Sequence, residues 1–264
     1  MDLLDRAPET AALEGVLAAV RDGLRAGAVA KARDLLATAE AGPLDEYQAA
    51  RADLLRGHIA YASSLVDAPS LLLKAAKRLE PLDLDLARQT YLTAWSAASL
   101  AGDLAGAGGL LEVSRAARAL PPPADPPSPA DLVLDGLARL VTDGAAAAAP
   151  VLRQAVTVFA SDDIPRQESL ASGWMAAAFL WDDDAGQASL ARQVRQARAV
   201  GALEYLPIFL GSLAISAGWR GDLATAASLI AEGDAIAEAT GVHIAPYATM
   251  FLAALAATRL SSPG

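Results

Sequence analysis

Two interleaved series of helix breakers, each recurring about every 40 residues, restrict this chain more than any other feature. One series is Ser63-Ser64, Gly102-Asp103, Asp143-Gly144, Asp182-Asp183-Asp184 and Gly221-Asp222. The other is Gly42-Pro43, Pro81, Pro121, Ala160-Ser161, Gly201 and Gly241, displaced by half a period. Between one breaker and the next there is room for a helix of about 15 to 20 residues, so each period makes one helix–turn–helix unit.

The helices that follow the proline-type breakers are termed A, and those that follow the glycine–aspartate turns B. The spacing predicts A helices over about 44–62, 83–101, 129–142, 165–181, 202–219 and 243–260. It predicts B helices over about 28–41, 67–79, 104–120, 145–159, 185–200 and 222–240, with a leading helix from Leu3 to Arg25. The B helices repeat an apolar stripe at i, i+3, i+4 and i+7: Ala32, Leu35, Leu36 and Ala39; Leu72, Leu73, Ala76 and Leu79; Leu110, Leu111, Ser114 and Ala117; Leu152, Ala155, Val156 and Phe159. Ala226, Leu229, Ile230 and Ala237 continue it. A helix pair cannot bury such a stripe alone, so stacked neighbours must supply the core.

The expected fold is therefore all-α: a tetratricopeptide-like solenoid of helical hairpins, with about six repeats of roughly 40 residues forming one domain over 1–264. Within it, 1–27 is the leading helix, 28–120 the N-terminal repeats, 121–129 a proline-rich connection and 130–264 the C-terminal repeats. Hydrophobic residues make up 54% of the chain and aromatics only 5%, so alanine and leucine, both strong helix formers, carry the apolar content. The run from Pro121 to Pro129 cannot be helical, because proline lacks the amide donor and clashes with the preceding turn. It reads as a polyproline-like surface connection, or as a ligand for a proline-reading domain. Gly106, Gly108 and Gly109 weaken the B helix that contains them and point to a late helix start or a close backbone contact.

Charge and composition narrow the function. With 21 Lys and Arg against 31 Asp and Glu the net charge is −10, and no basic run offers a footprint for a phosphate backbone. Direct nucleic-acid binding by this segment is not expected. The chain has no cysteine, which removes disulfides and thiolate chemistry. No signal-like N-terminus or membrane-length apolar run is present, so a cytoplasmic location without membrane attachment is expected.

No phosphate loop, His-Glu-x-x-His or Gly-x-Ser-x-Gly motif occurs, and the two histidines, His58 and His243, are far apart on predicted A helices. The acidic clusters Asp162-Asp163 and Asp182-Asp183-Asp184 fall at predicted helix starts and read as caps. No catalytic residue, metal ligand or cofactor is assigned, and the chain is not expected to be an enzyme.

Aromatic placement is the one pattern with functional content. Every aromatic residue except Phe159 falls on an A helix. In solenoids of this kind the A helices line the concave face. Arg88, Tyr91 and Trp95 share one helix face; so do Trp174 and Trp181, and Tyr205, Phe209 and Ser212. With Arg139 added, the candidate groove residues are Arg88, Tyr91, Trp95, Arg139, Trp174, Trp181, Tyr205 and Phe209. The same rings also read as spacers packed between repeats.

The stretch from Glu80 to Ala94, together with Asp131 to Gly144 and Leu180 to Asp183, resembles the middle region of large ATP-binding LuxR-family regulators of actinobacteria, relatives of the maltose regulator. The resemblance spans about Ala28 to Ala257. It implies a non-catalytic sensor and oligomerisation domain of a transcription activator, often one controlling secondary metabolism. Such a domain would bind an effector, a partner or a second copy of itself through the concave face, with ATP and DNA binding carried by other parts of the regulator. A free-standing scaffold that holds a partner's peptide is the alternative.

Overall fold

A computed structural model describes residues 7–64, 66–105, 109–123, 126–160, 173–203, 205–242 and 245–260, with side chains between 14 and 257. Among the described residues the chain is helical throughout and has no strand. The helices are α1 (Ala7–Arg25), α2 (Val29–Glu40), α3 (Glu46–Ser63), α4 (Ala68–Leu79), α5 (Leu84–Ala101), α6 (Leu110–Arg118), α7 (Pro129–Thr142), α8 (Ala145–Ala160), α9 (Gly173–Phe179), α10 (Asp183–Val200), α11 (Leu206–Trp219), α12 (Leu223–Thr240) and α13 (Tyr247–Leu260).

Polar residues at or just after the breakers begin helices by supplying acceptors for amides that have no partner within the helix. Asp45 accepts the Gln48 amide at 2.8 Å, Asp83 that of Leu86 at 2.9 Å, and Ser128 that of Asp131 at 3.2 Å. Asp182 and Asp222 do the same for Ala185 and Thr225, at 3.1 and 3.0 Å. The Asp182 cluster thus caps α10 as its sequence position suggested, whereas Asp162-Asp163 lie outside the described residues.

Several boundaries differ from the sequence reading. Proline near the start explains two of them: α11 begins at Leu206 rather than 202, with Pro207 in its first turn, and α13 begins at Tyr247, just after Pro246. The B helix expected over 104–120 is split into a 3₁₀ turn at Gly102–Ala105 and α6, because Gly109 is extended and sets a late start. The described part of the A helix expected over 165–181 is α9, and 161–172 lie outside the described residues.

Each helix packs on the next, and the odd-numbered helices α1 and α3, α5 and α7, α7 and α9, and α11 and α13 also touch directly. Small residues let the pairs close up. A side chain at Gly57 would meet Leu72 Cδ2 at 2.7 Å, and one at Gly136 would meet Leu152 Cδ2 at 2.5 Å; both leucines are among the B-helix stripe residues. The largest core cluster runs from α3 to α9 and contains Tyr91, Trp95, Leu134, Leu137, Leu152 and Phe159.

The row of helices curves back so that distant parts of the chain meet. Leu203, beyond α10, donates its amide to the Arg25 carbonyl at the end of α1, at 2.6 Å. Gly27 lies so close to Thr240 that an added side chain would meet it at 2.5 Å. Val242 is buried among Leu17, Val20 and Leu24 of α1. Tyr247 of α13 donates its hydroxyl to the Leu100 carbonyl of α5 at 2.7 Å. These contacts enclose a space between the two halves of the chain.

Candidate functional site

That space is a cavity of about 740 Å³. Helices α3, α5, α9, α10, α11 and α12 and the start of α13 supply its walls. Deep residues are buried: Tyr61, Ala62, Leu190, Pro207 and Val242. The mouth is marked by lining residues that stay exposed, namely Trp181 at 93%, Trp219 at 70% and Tyr247 at 48%. Asp182, Asp183 and Asp234 are exposed beside them. The walls are largely apolar, and no lysine or arginine is among the described lining residues.

Four of the eight candidate residues lie at or beside this cavity. Trp174, Trp181 and Tyr205 line it. Phe209 is buried behind Tyr205 and stacks on it, with ring centroids 6.3 Å apart. Tyr205 also leans on Tyr61, at 6.2 Å between centroids.

The other four do not reach the cavity. Tyr91 and Trp95 are 0% and 1% exposed, inside the main core rather than on a groove. The Tyr91 hydroxyl donates to Glu80, and burial followed by that carboxylate pushes its pKa well above the ordinary tyrosine value. Trp95 donates Nε1–H to Ser114 Oγ at 3.1 Å. Arg88 is buried too, ion-paired with Asp131 and donating to the Pro121 carbonyl at 3.3 Å, so it holds the proline-rich connection against α5. Arg139 pairs with Asp135 at 3.1 Å in a small cleft of about 250 Å³ under the same connection. The face shared by Arg88, Tyr91 and Trp95 is a packing face, because α5 is covered on that side by α6 and α7.

The sequence reading passed over three contributors. Trp219 and Tyr247 were visible only as two aromatics among many on A helices. His58, given no role by the sequence, lines the cavity, and its Nδ1 stands 3.3 Å from Tyr205 Oη. No local motif marks it, since its partner is 147 residues away.

Enclosure by protein, and to a lesser degree the charge of Arg25, lower the His58 pKa from 6.5 to about 4. The folded state therefore keeps His58 neutral while the unfolded chain takes up its proton below pH 6.5. Stability is full above that pH and declines as pH falls towards 4, by at most about 1.4 kcal/mol per unit. Asp53, whose burial is more than offset by Arg78, Lys74 and Arg56, has a lowered pKa and loses its contribution only at still lower pH. We expect urea denaturation to show a loss of about 2 kcal/mol between pH 6.5 and 4.5. The slope should vanish in His58→Phe; a variant that keeps it would place the titration elsewhere.

Compared with protein-family models, with curated proteins and with solved structures, the chain matches none.

Proposed function

We propose that this chain is a non-catalytic, tetratricopeptide-like sensor domain of a LuxR-type transcription regulator, and that its effector is a small, largely apolar molecule held in the cavity. The observation that carries the reading is the cavity itself. It has the volume of a drug-sized ligand site, and its apolar lining carries only a few polar groups. Its walls come from both halves of the chain, so a ligand inside touches elements far apart in sequence. Filling it would strengthen the seam at His58–Tyr205 and Tyr247–Leu100 and bias the curvature of the whole row. That gives a sensor a way to report occupancy to attached parts of a regulator. The LuxR assignment itself rests on the sequence resemblance. Self-association, which the resemblance also implies, is read from molar mass by light scattering across a dilution series.

Nile red, a neutral apolar dye, tests the site directly. It should bind one molecule per chain with a blue-shifted emission, and Ser212→Trp, which fills the cavity from α11, should abolish this without lowering the helical content. Dye binding that survives Ser212→Trp, or no dye binding at all, would count against the reading.

A further inference from the structure

Trp181 occupies a backbone position that elsewhere in this chain belongs to glycine. Gly27, Gly201 and Gly221, each followed by a residue whose amide bonds the carbonyl five positions back, end α1, α10 and α11 at φ of 75°, 67° and 84°. The α9–α10 turn places Trp181 there at φ 58°, the one non-glycine residue with positive φ among the described residues. Left-handed backbone is strained for a bulky side chain, and glycine relieves it at no steric cost. The indole gains nothing from burial either, since it is 93% exposed. Trp181 is thus costly to the fold on two counts, and its ring stands at the cavity mouth. Strain of this kind at a ligand opening points to a role in binding.

The chemistry around it selects the ligand. Trp219 lies on the same rim, and tryptophan faces attract cations. Asp183 is already engaged, by Ser216 Oγ at 2.9 Å and Arg220 at 3.3 Å. Asp182 and Asp234 have no cation within ion-pair distance among the described residues. Among the described residues no lysine or arginine lines the cavity to receive an anion, and the lining is largely apolar. Resting on the proposed small-molecule site, we infer that its ligand is an amphiphilic amine. The apolar body lies in the cavity, and the ammonium group sits at the mouth between the tryptophan rings and the carboxylates of Asp182 and Asp234, with Trp181 as the recognition residue.

Three probes of equal chain length test this: dodecyltrimethylammonium, dodecanol and dodecanoate, each below its micelle concentration. Salt at about 0.3 M screens the net charge of the chain. Displacement of Nile red should show the ammonium binding at least tenfold tighter than the carboxylate, with the alcohol between them. Trp181→Gly should raise Tm by about 2–4 °C through relief of strain, yet weaken the ammonium about tenfold and the alcohol less than threefold. Trp181→Leu keeps the strained backbone without the aromatic face, so it should weaken the ammonium equally with no gain in Tm. A carboxylate that binds as tightly as the ammonium, or an ammonium affinity unchanged in Trp181→Gly, overturns the inference while dodecanol binding leaves the cavity reading standing. If dodecanol does not bind either, both fall.

Discussion

Replacing Arg88 by methionine is expected to cost about 3–5 kcal/mol of unfolding free energy, measured by urea denaturation, because it leaves a buried carboxylate without its partner. The side chains of Arg88 and Asp131 are 7% and 14% exposed, so solvent does little to weaken their pairing. Asp131 is doubly committed, since one of its carboxylate oxygens accepts the Ser128 amide at 3.0 Å and the Ser128 hydroxyl at 2.8 Å. Arg88 adds the bond to the Pro121 carbonyl, so one guanidinium ties α5, the proline-rich connection and the start of α7 together. The origin of the loss is separable. Asp131→Asn keeps the capping oxygen but discards the charge, and the double variant Arg88→Met/Asp131→Asn should recover most of the stability. A single-variant loss below about 1 kcal/mol would place the pair with solvent-screened surface bridges instead.

Arg88 also shows what the sequence disclosed and what it withheld. The breaker period is a local signal, and it included Asp182 and Asp222, which cap α10 and α12, because capping depends on residues only three positions apart; the caps Asp45, Asp83 and Ser128 lie past their proline-type breakers and were not singled out. Which side of an A helix faces ligand is not local. Arg88, Tyr91 and Trp95 share a face by helical spacing just as Tyr205, Phe209 and Ser212 do, at i, i+3, i+7 and i, i+4, i+7, yet the first set is covered by α6 and α7 while Tyr205 and Ser212 border the cavity. The difference is made by curvature, which brings His58 to Tyr205 and Leu100 to Tyr247 across 147 residues each. Periodicity within a helix carries no information about that closure. One further clue was present: one 40-residue period on, Gly221 stands where Trp181 does, each directly before the aspartate that caps the next helix. A bulky residue at a turn position otherwise kept for glycine is a functional signal that helix-face counting overlooks.

Trp95 decides between the packing and groove readings of the A-helix aromatics, because the two predict different losses. The structure puts its ring in the main core, 1% exposed, edge-on to Phe179 with centroids 5.7 Å apart. Trp95→Ala should therefore cost about 3–5 kcal/mol, the sum of lost burial and the cavity left behind. Trp95→Phe keeps most of the apolar volume and removes the donor to Ser114 Oγ, so its cost should be nearer 1–2 kcal/mol. At a temperature where both variants remain folded, Nile red affinity should stay within a factor of about two of the parent, since Trp95 does not line the cavity. Had the ring belonged to a binding groove, truncation would leave urea stability nearly intact and remove ligand affinity. That pattern, a loss under about 1 kcal/mol together with a tenfold weaker dye, would return Trp95 to the groove and reverse the assignment of the α5 face.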